Sequence, residues 1–202
     1  SNLVNSSGVI ASDVSGVGTA RNNLAAAGYG ADKAIFGYGT TGSATAITNL
    51  VTNVGVVGSD VSGVGTAREQ LAAAGYGTDK AIFGYGGAFV SLTNLVSNAG
   101  VVASDTSGVG TGRKNLGACS YGTDKALFGY GMIEENDEAV NLSMTNLVSS
   151  SGVVASDVSG VGTARQNPGA AGYGGDKGIF AYGYTSSVVS MSNLVNNSGV
   201  VA

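Results

Sequence analysis

Glu134, Glu135, Asp137 and Glu138 fall within one run of five residues and are the densest set of carboxylates in the sequence. Carboxylates this close could supply the two acids that glycoside hydrolysis needs across one cleft, or oxygen ligands for calcium. They mark a candidate binding loop, since an acidic loop is more commonly solvated than catalytic. A second set recurs: Tyr38, Tyr85, Tyr130 and Tyr182 each precede a glycine. Rings beside glycine can stack on sugars, which makes these four candidate ligand-stacking residues. The competing use is packing between neighbouring elements, with the hydroxyl reaching a polar partner. A third set pairs Asp13, Asp60, Asp105 and Asp157 with Arg21, Arg68, Arg113 and Arg165, and adds Asp-Lys pairs such as Asp32-Lys33. Isolated carboxylates beside cations do not make a metal centre. The arginines are expected to bridge neighbouring repeats through carbonyls or Asp13-type carboxylates, and the Asp32-type residues to shape turns.

Other chemistry is set aside on composition. Gly16-Val17-Gly18 and Gly28-Tyr29-Gly30 look like pieces of a phosphate loop. That loop needs a preceding strand, a following helix and, in one form, a Gly-Lys-Ser/Thr ending, which is absent. The chain has no histidine to activate its single cysteine, Cys119, which stands where Ala27, Ala74 and Ala171 stand in the other repeats. A small buried residue is the reading for Cys119. No catalytic residue, cofactor or metal is therefore expected, and the chain is read as not an enzyme.

The elements that position these residues are repeats. The stretch Thr19–Gly39 returns at Thr66–Gly86, Thr111–Gly131 and Thr163–Gly183. Asn-Leu-Val recurs at Asn2, Asn49, Asn94, Asn146 and Asn193, in steps of 47, 45, 52 and 47 residues, a period that suits a four-stranded unit. We read residues 1–202 as one repeat domain, with repeats near 2–48, 49–93, 94–145 and 146–192 and a partial repeat at 193–202. The 35 glycines sit at fixed places among β-branched residues and tyrosine, the pattern of short strands and tight turns. At this density glycine disfavours helix by about 1 kcal/mol per residue against alanine. In the first repeat, strands are expected over Leu24–Tyr29, Lys33–Tyr38 and Ala46–Val51, with a fourth starting at Gly55-Val56-Val57. Gly30-Ala31-Asp32 is the turn between the first two.

From Asn-Leu-Val to the last glycine of the module every repeat spans 38 residues, so all length variation falls in the connections Thr40–Thr48, Gly87–Thr93, Met132–Thr145 and Tyr184–Ser192. Insertions at one equivalent loop emerge on one face of a repeat array, often the binding face. The repeated Asp, Arg and Asp-Lys positions cancel in charge, so the net −4 comes mainly from Met132–Glu138. No basic stripe for nucleic acid is present, and no apolar run approaches membrane-spanning length. Neither a nucleic-acid nor a membrane partner is expected, and no signal peptide is visible. One cysteine leaves the compartment open. Ser1–Ala11 nearly duplicates Ser192–Ala202. Three outcomes fit that duplication: four units with one copy spare, an incomplete fifth unit, or self-association by exchange of terminal strands.

The order Arg68, Leu71-Ala72-Ala73-Ala74, Gly77-Thr78-Asp79-Lys80, Ala81-Ile82-Phe83-Gly84-Tyr85-Gly86 resembles the kelch repeat. Gly-Tyr-Gly stands in place of the kelch glycine pair, and the later kelch Tyr and Trp are missing. The resemblance implies an all-β, kelch-like β-propeller of four-stranded antiparallel blades, four blades or an incomplete five. The repeats also resemble, more weakly, those of virion or tail-associated proteins of bacterial viruses, which implies an extracellular or virion-associated setting. The expected function is a non-catalytic structural or recognition module with variable loops on one face, its partner a protein or glycan. The alternative is a lectin-like propeller with one weak carbohydrate site per blade.

Overall fold

A computed structural model of the chain describes residues 1–202. The fold is all-β, with no helix, and consists of small antiparallel sheets. The first sheet contains β1 (Ala25–Tyr29), β2 (Lys33–Gly37) and β3 (Thr48–Val51). The trio returns as β4 (Ala72–Tyr76), β5 (Lys80–Gly84) and β6 (Thr93–Val96). In the third repeat β7 (Gly117–Tyr121) and β8 (Lys125–Gly129) precede a separate hairpin, β9 (Met132–Glu135) and β10 (Glu138–Asn141), before β11 (Thr145–Val148) completes the sheet. The last trio is β12 (Gly169–Tyr173), β13 (Lys177–Ala181) and β14 (Ser192–Val195).

In each trio the middle strand pairs on both sides, so Ile35 lies opposite Ala27 on β1 and Leu50 on β3. The hairpin between β1 and β2 turns through Gly30 and Ala31, at φ 59° and 68°. Thr78 and Thr123 hold the same left-handed position at φ 70°, a strained place for a β-branched residue. Each sheet combines a hairpin with the Asn-Leu-Val strand that follows it. The structural unit is thus out of phase with a repeat counted from Asn-Leu-Val, and Asn2-Leu3-Val4 has no hairpin of its own.

The expected fourth strand does not form. Val57 and Val61 touch β3 only through isolated bridges, to Val51 and Thr48. The same pair of isolated bridges recurs at Val102 and Thr106 and at Val154 and Val158.

The core lies between repeats, in three clusters. Tyr29, Ile35 and Tyr38 of the first repeat meet Leu71, Ala81, Phe83 and Val96 of the second. Tyr76, Ile82 and Tyr85 meet Leu116, Ala126, Phe128 and Val148 of the third. Tyr121, Leu127 and Tyr130 meet Phe180, Val195 and Val201 of the fourth. Strand β1 contacts β4, β4 contacts β7, and β7 contacts β12. Their alanines and glycines allow close approach, and the Ser120 hydroxyl donates to the Gly75 carbonyl of the neighbouring repeat at 2.8 Å.

A ring of four repeats needs a fourth interface, between last and first. No hydrogen bond or core cluster joins them. The repeats pack one against the next as three-stranded sheets, where the kelch resemblance implied four-stranded blades. The duplicated N-terminal segment sits one step before the first sheet, in the place of an Asn-Leu-Val strand. Its Leu3 lies against Gly55 as Leu50, Leu95 and Leu147 lie against Gly100, Gly152 and Gly199.

Candidate functional site

The repeated tyrosines hold the row together. Tyr38, Tyr85 and Tyr130 have φ of 63°, 64° and 63°, a left-handed conformation that a bulky residue rarely adopts. From it each enters the next repeat and is fully buried. Tyr38 lies edge-on to Phe83 with ring centroids 5.1 Å apart, and the Arg68 guanidinium sits 4.4 Å from its centroid. Its hydroxyl donates to the Val64 carbonyl at 3.1 Å. Tyr85 repeats this with Phe128, Arg113 and Val109, and Tyr130 with Phe180, Arg165 and Val161. Burial pushes the Tyr85 phenol up to about 12 and raises Tyr38 and Tyr130 too. Three of the four candidate stacking rings are therefore closed to a ligand. Tyr182 alone is exposed, at 64%.

The arginines do bond carbonyls, but of their own repeat: Arg68 Nε donates to Tyr85 O at 2.9 Å and Nη1 to Thr66 O at 3.1 Å. They cross to the neighbour through the face of its tyrosine, a cation–π contact strengthened by desolvation. Nothing in the sequence signalled Tyr38, the ring that Arg68 covers. The Asp13-type carboxylates bind no arginine. Asp105 accepts from the Thr66 main chain and hydroxyl and from the Asn94 amide. Burial alone would raise its carboxyl, yet these donors hold it below the ordinary value. Asp32 pairs with its chain neighbour Lys33 at 3.1 Å and accepts from Asn53, an exposed pair that braces the turn.

The acidic run is a hairpin rather than a flexible loop. Asn136 and Asp137 have φ of 53° and 63°, both left-handed as a tight two-residue hairpin turn requires. Glu135 lies opposite Glu138, and Glu134 opposite Ala139. All four carboxylates are exposed, and none joins the four salt bridges, which are all Asp-Lys neighbours. Met132 is anchored to Lys114, and Asn141 donates to the Thr185 carbonyl at 3.1 Å, tying this connection to the next one along the row. Phe89, in the preceding connection, packs under Lys114.

Cys119 is buried and its thiol is pushed up to about 12 by burial. It packs toward Gly178, where any Cβ would collide with its sulfur. In the other interfaces that place belongs to Ala81 and Ala126, facing Ala27 and Ala74. The larger cysteine and the smaller glycine compensate each other.

Taken together, the repeated charged and aromatic residues are engaged in building the row, and the surface that varies is the series of connections. No protein-family model matches the chain, and no curated protein matches it.

Proposed function

We propose that the chain is a non-catalytic structural scaffold, a row of repeats that displays its variable connections along one edge. The observation that carries this is the Tyr–Arg–Phe contact repeated at every interface, which puts the chain's most chemistry-capable side chains into cohesion. What differs from repeat to repeat is the connection: seven residues at Gly87–Thr93, fourteen at Met132–Thr145. A recognition partner, protein or glycan, would read those connections, the acidic hairpin above all. The lectin-like alternative placed one ring per repeat on the surface, and burial of Tyr38, Tyr85 and Tyr130 removes its main support.

Replacing Ile133–Met144 by the sequence of Ala88–Leu92, which keeps the buried Met132 and Thr145, tests the scaffold reading. The variant is expected to keep its circular dichroism and to unfold within about 1 kcal/mol of the parent, as surface changes commonly do. Loss of the fold would show that the connection is part of the scaffold. An elongated small-angle scattering envelope is expected alongside, and a disc would contradict the row.

A further inference from the structure

The turns that close the first three hairpins lie side by side. Gly30 N–H donates to the Asp79 carbonyl at 2.6 Å and Gly77 N–H to the Asp124 carbonyl at 2.7 Å, so neighbouring turns are tied into one rim. They frame a cavity of about 210 Å³, lined by Ala31, Thr78 and Thr123 from the turns, Gly75 and Ser120 from the strands, and Lys80. It lies at the opposite end of the hairpins from the connections, which leave from the Gly37 end of β2. Three observations mark it. Thr78 and Thr123 sit at φ 70°, where Gly175 holds the same position in the fourth repeat at φ 82°. Glycine is unstrained there and a β-branched residue is not, so both threonines are kept at the cavity against a backbone cost. Ser120 takes a place that is Gly28, Gly75 and Gly172 in the other repeats. Its hydroxyl donates to the Gly75 carbonyl at 2.8 Å, which pins the second repeat to the third. Lys80 belongs to the loosest of the four Asp-Lys pairs, 3.4 Å from Asp79 against 2.9–3.1 Å in the others.

We propose that this cavity binds one neutral monosaccharide unit, free or at the end of a glycan. Size, charge and lining point the same way. At about 210 Å³ it is smaller than the ~300–1,000 Å³ of pockets for drug-sized ligands, which suits a single sugar ring. Asp79 neutralises the Lys80 ammonium, and the flanking Asp32-Lys33 and Asp124-Lys125 pairs cancel likewise, so no net charge favours an anion. The Thr78 and Thr123 hydroxyls can donate and accept, as sugar hydroxyls do, and the Lys80 ammonium donates. Ala31, Tyr29 and Tyr76 add apolar surface for the C–H face of the ring. The bonded rim holds these groups in place before a ligand arrives, which lowers the ordering cost of binding. The site is assembled from three repeats, unlike a lectin-like array with one exposed ring in each. It also stands apart from the displayed connections, so the two readings are tested separately.

Titrating the chain with D-glucose, D-galactose, D-mannose and N-acetyl-D-glucosamine, followed by amide NMR, tests this, with sodium acetate as the anion control. At least one sugar is expected to shift the Gly28, Gly75 and Ser120 amides, with a Kd of about 1 mM. Gly75→Ala places a methyl 3.5–3.6 Å from Gly28 O, Lys80 O and Ser120 Oγ, ordinary contacts that the fold accommodates. By occupying the cavity it should weaken binding at least about fivefold. Thr78→Gly should weaken binding at least about threefold while the chain unfolds at or above the parent's temperature, because the left-handed strain is gone. A glycan array then separates the sources: glycans ending in the bound sugar point to a glycan terminus, and silence beside binding of the free sugar points to a small-molecule site. Amides unmoved by all four sugars at about 100 mM overturn the proposal. Shifts caused by acetate alone overturn it too, as does binding indifferent to both substitutions.

Discussion

Tyr85 and Tyr182 hold the same place in closely similar modules, at φ 64° and 61°, yet one is fully buried and the other 64% exposed. The same contrast separates Tyr121, 4% exposed, from Tyr173, 41% exposed. A single repeat therefore has no core of its own, and the cohesive element is the interface between two. The fourth repeat carries Ala181 where Gly37, Gly84 and Gly129 each admit the phenylalanine of the following repeat.

The largest break of this contrast is Tyr85→Ala against Tyr182→Ala. Removing the interior ring is expected to cost about 3–5 kcal/mol in urea unfolding, and removing the terminal ring less than about 0.5 kcal/mol. Equal losses would sink the idea that the interface supplies the cohesion.

Alkaline pH acts on the same buried rings. Tyr85 rises from an ordinary 10 to about 12 in the folded chain, so the native state holds its proton more tightly than the unfolded one. The stability it contributes is complete below pH 10 and lost as pH rises toward 12, about 3 kcal/mol from this ring. The part of the tyrosinate absorbance that comes from the buried rings should appear together with unfolding. Ionisation of the buried rings in a still-folded chain would contradict the packing described for them.

A double-mutant cycle sharpens the comparison of the last interface with the other two. Gly178→Ala alone should cost about 1–3 kcal/mol through overpacking against Cys119. In a Cys119→Ala background, which restores the alanine pair of the first two interfaces, most of that penalty should vanish. Additive effects would mean that the two residues do not compensate.

The smallest effect belongs to the displayed hairpin. Glu135→Lys replaces a like-charge cross-strand pair with an opposite one at Glu138, and should stabilise by about 0.2–1 kcal/mol, less at high salt. A thermal melt at low and high ionic strength checks both parts.

The three strands of each unit were legible because strand alternation and turn glycines are local signals. Leu24–Tyr29 became Ala25–Tyr29, and Gly30-Ala31-Asp32 is the turn. The fourth strand was misjudged because Val56-Val57 has strand composition, yet the chain there meets β3 at two separate bridges and builds no ladder. The acidic run carried a hairpin signal in Asn136-Asp137, outweighed in reading by its charge. The tyrosines were harder to place, since a ring beside glycine looks the same whether it meets a ligand or a neighbour.

By itself the sequence determined that the chain is all-β, repetitive and built from a recurring hairpin, since period, turn residues and strand composition are properties of nearby residues. It also determined where variation is tolerated, in the connections after each Gly-Tyr-Gly or its Ala-Tyr-Gly equivalent. Only the tertiary structure decided that each repeat packs against the next through its tyrosine, and that Arg68 covers Tyr38 rather than a ring of its own repeat. The physical reason is that each interface joins residues about one repeat apart, and identical repeats encode the same contact whether the row closes or not. Closure depends on the angle between successive units, which no single residue records.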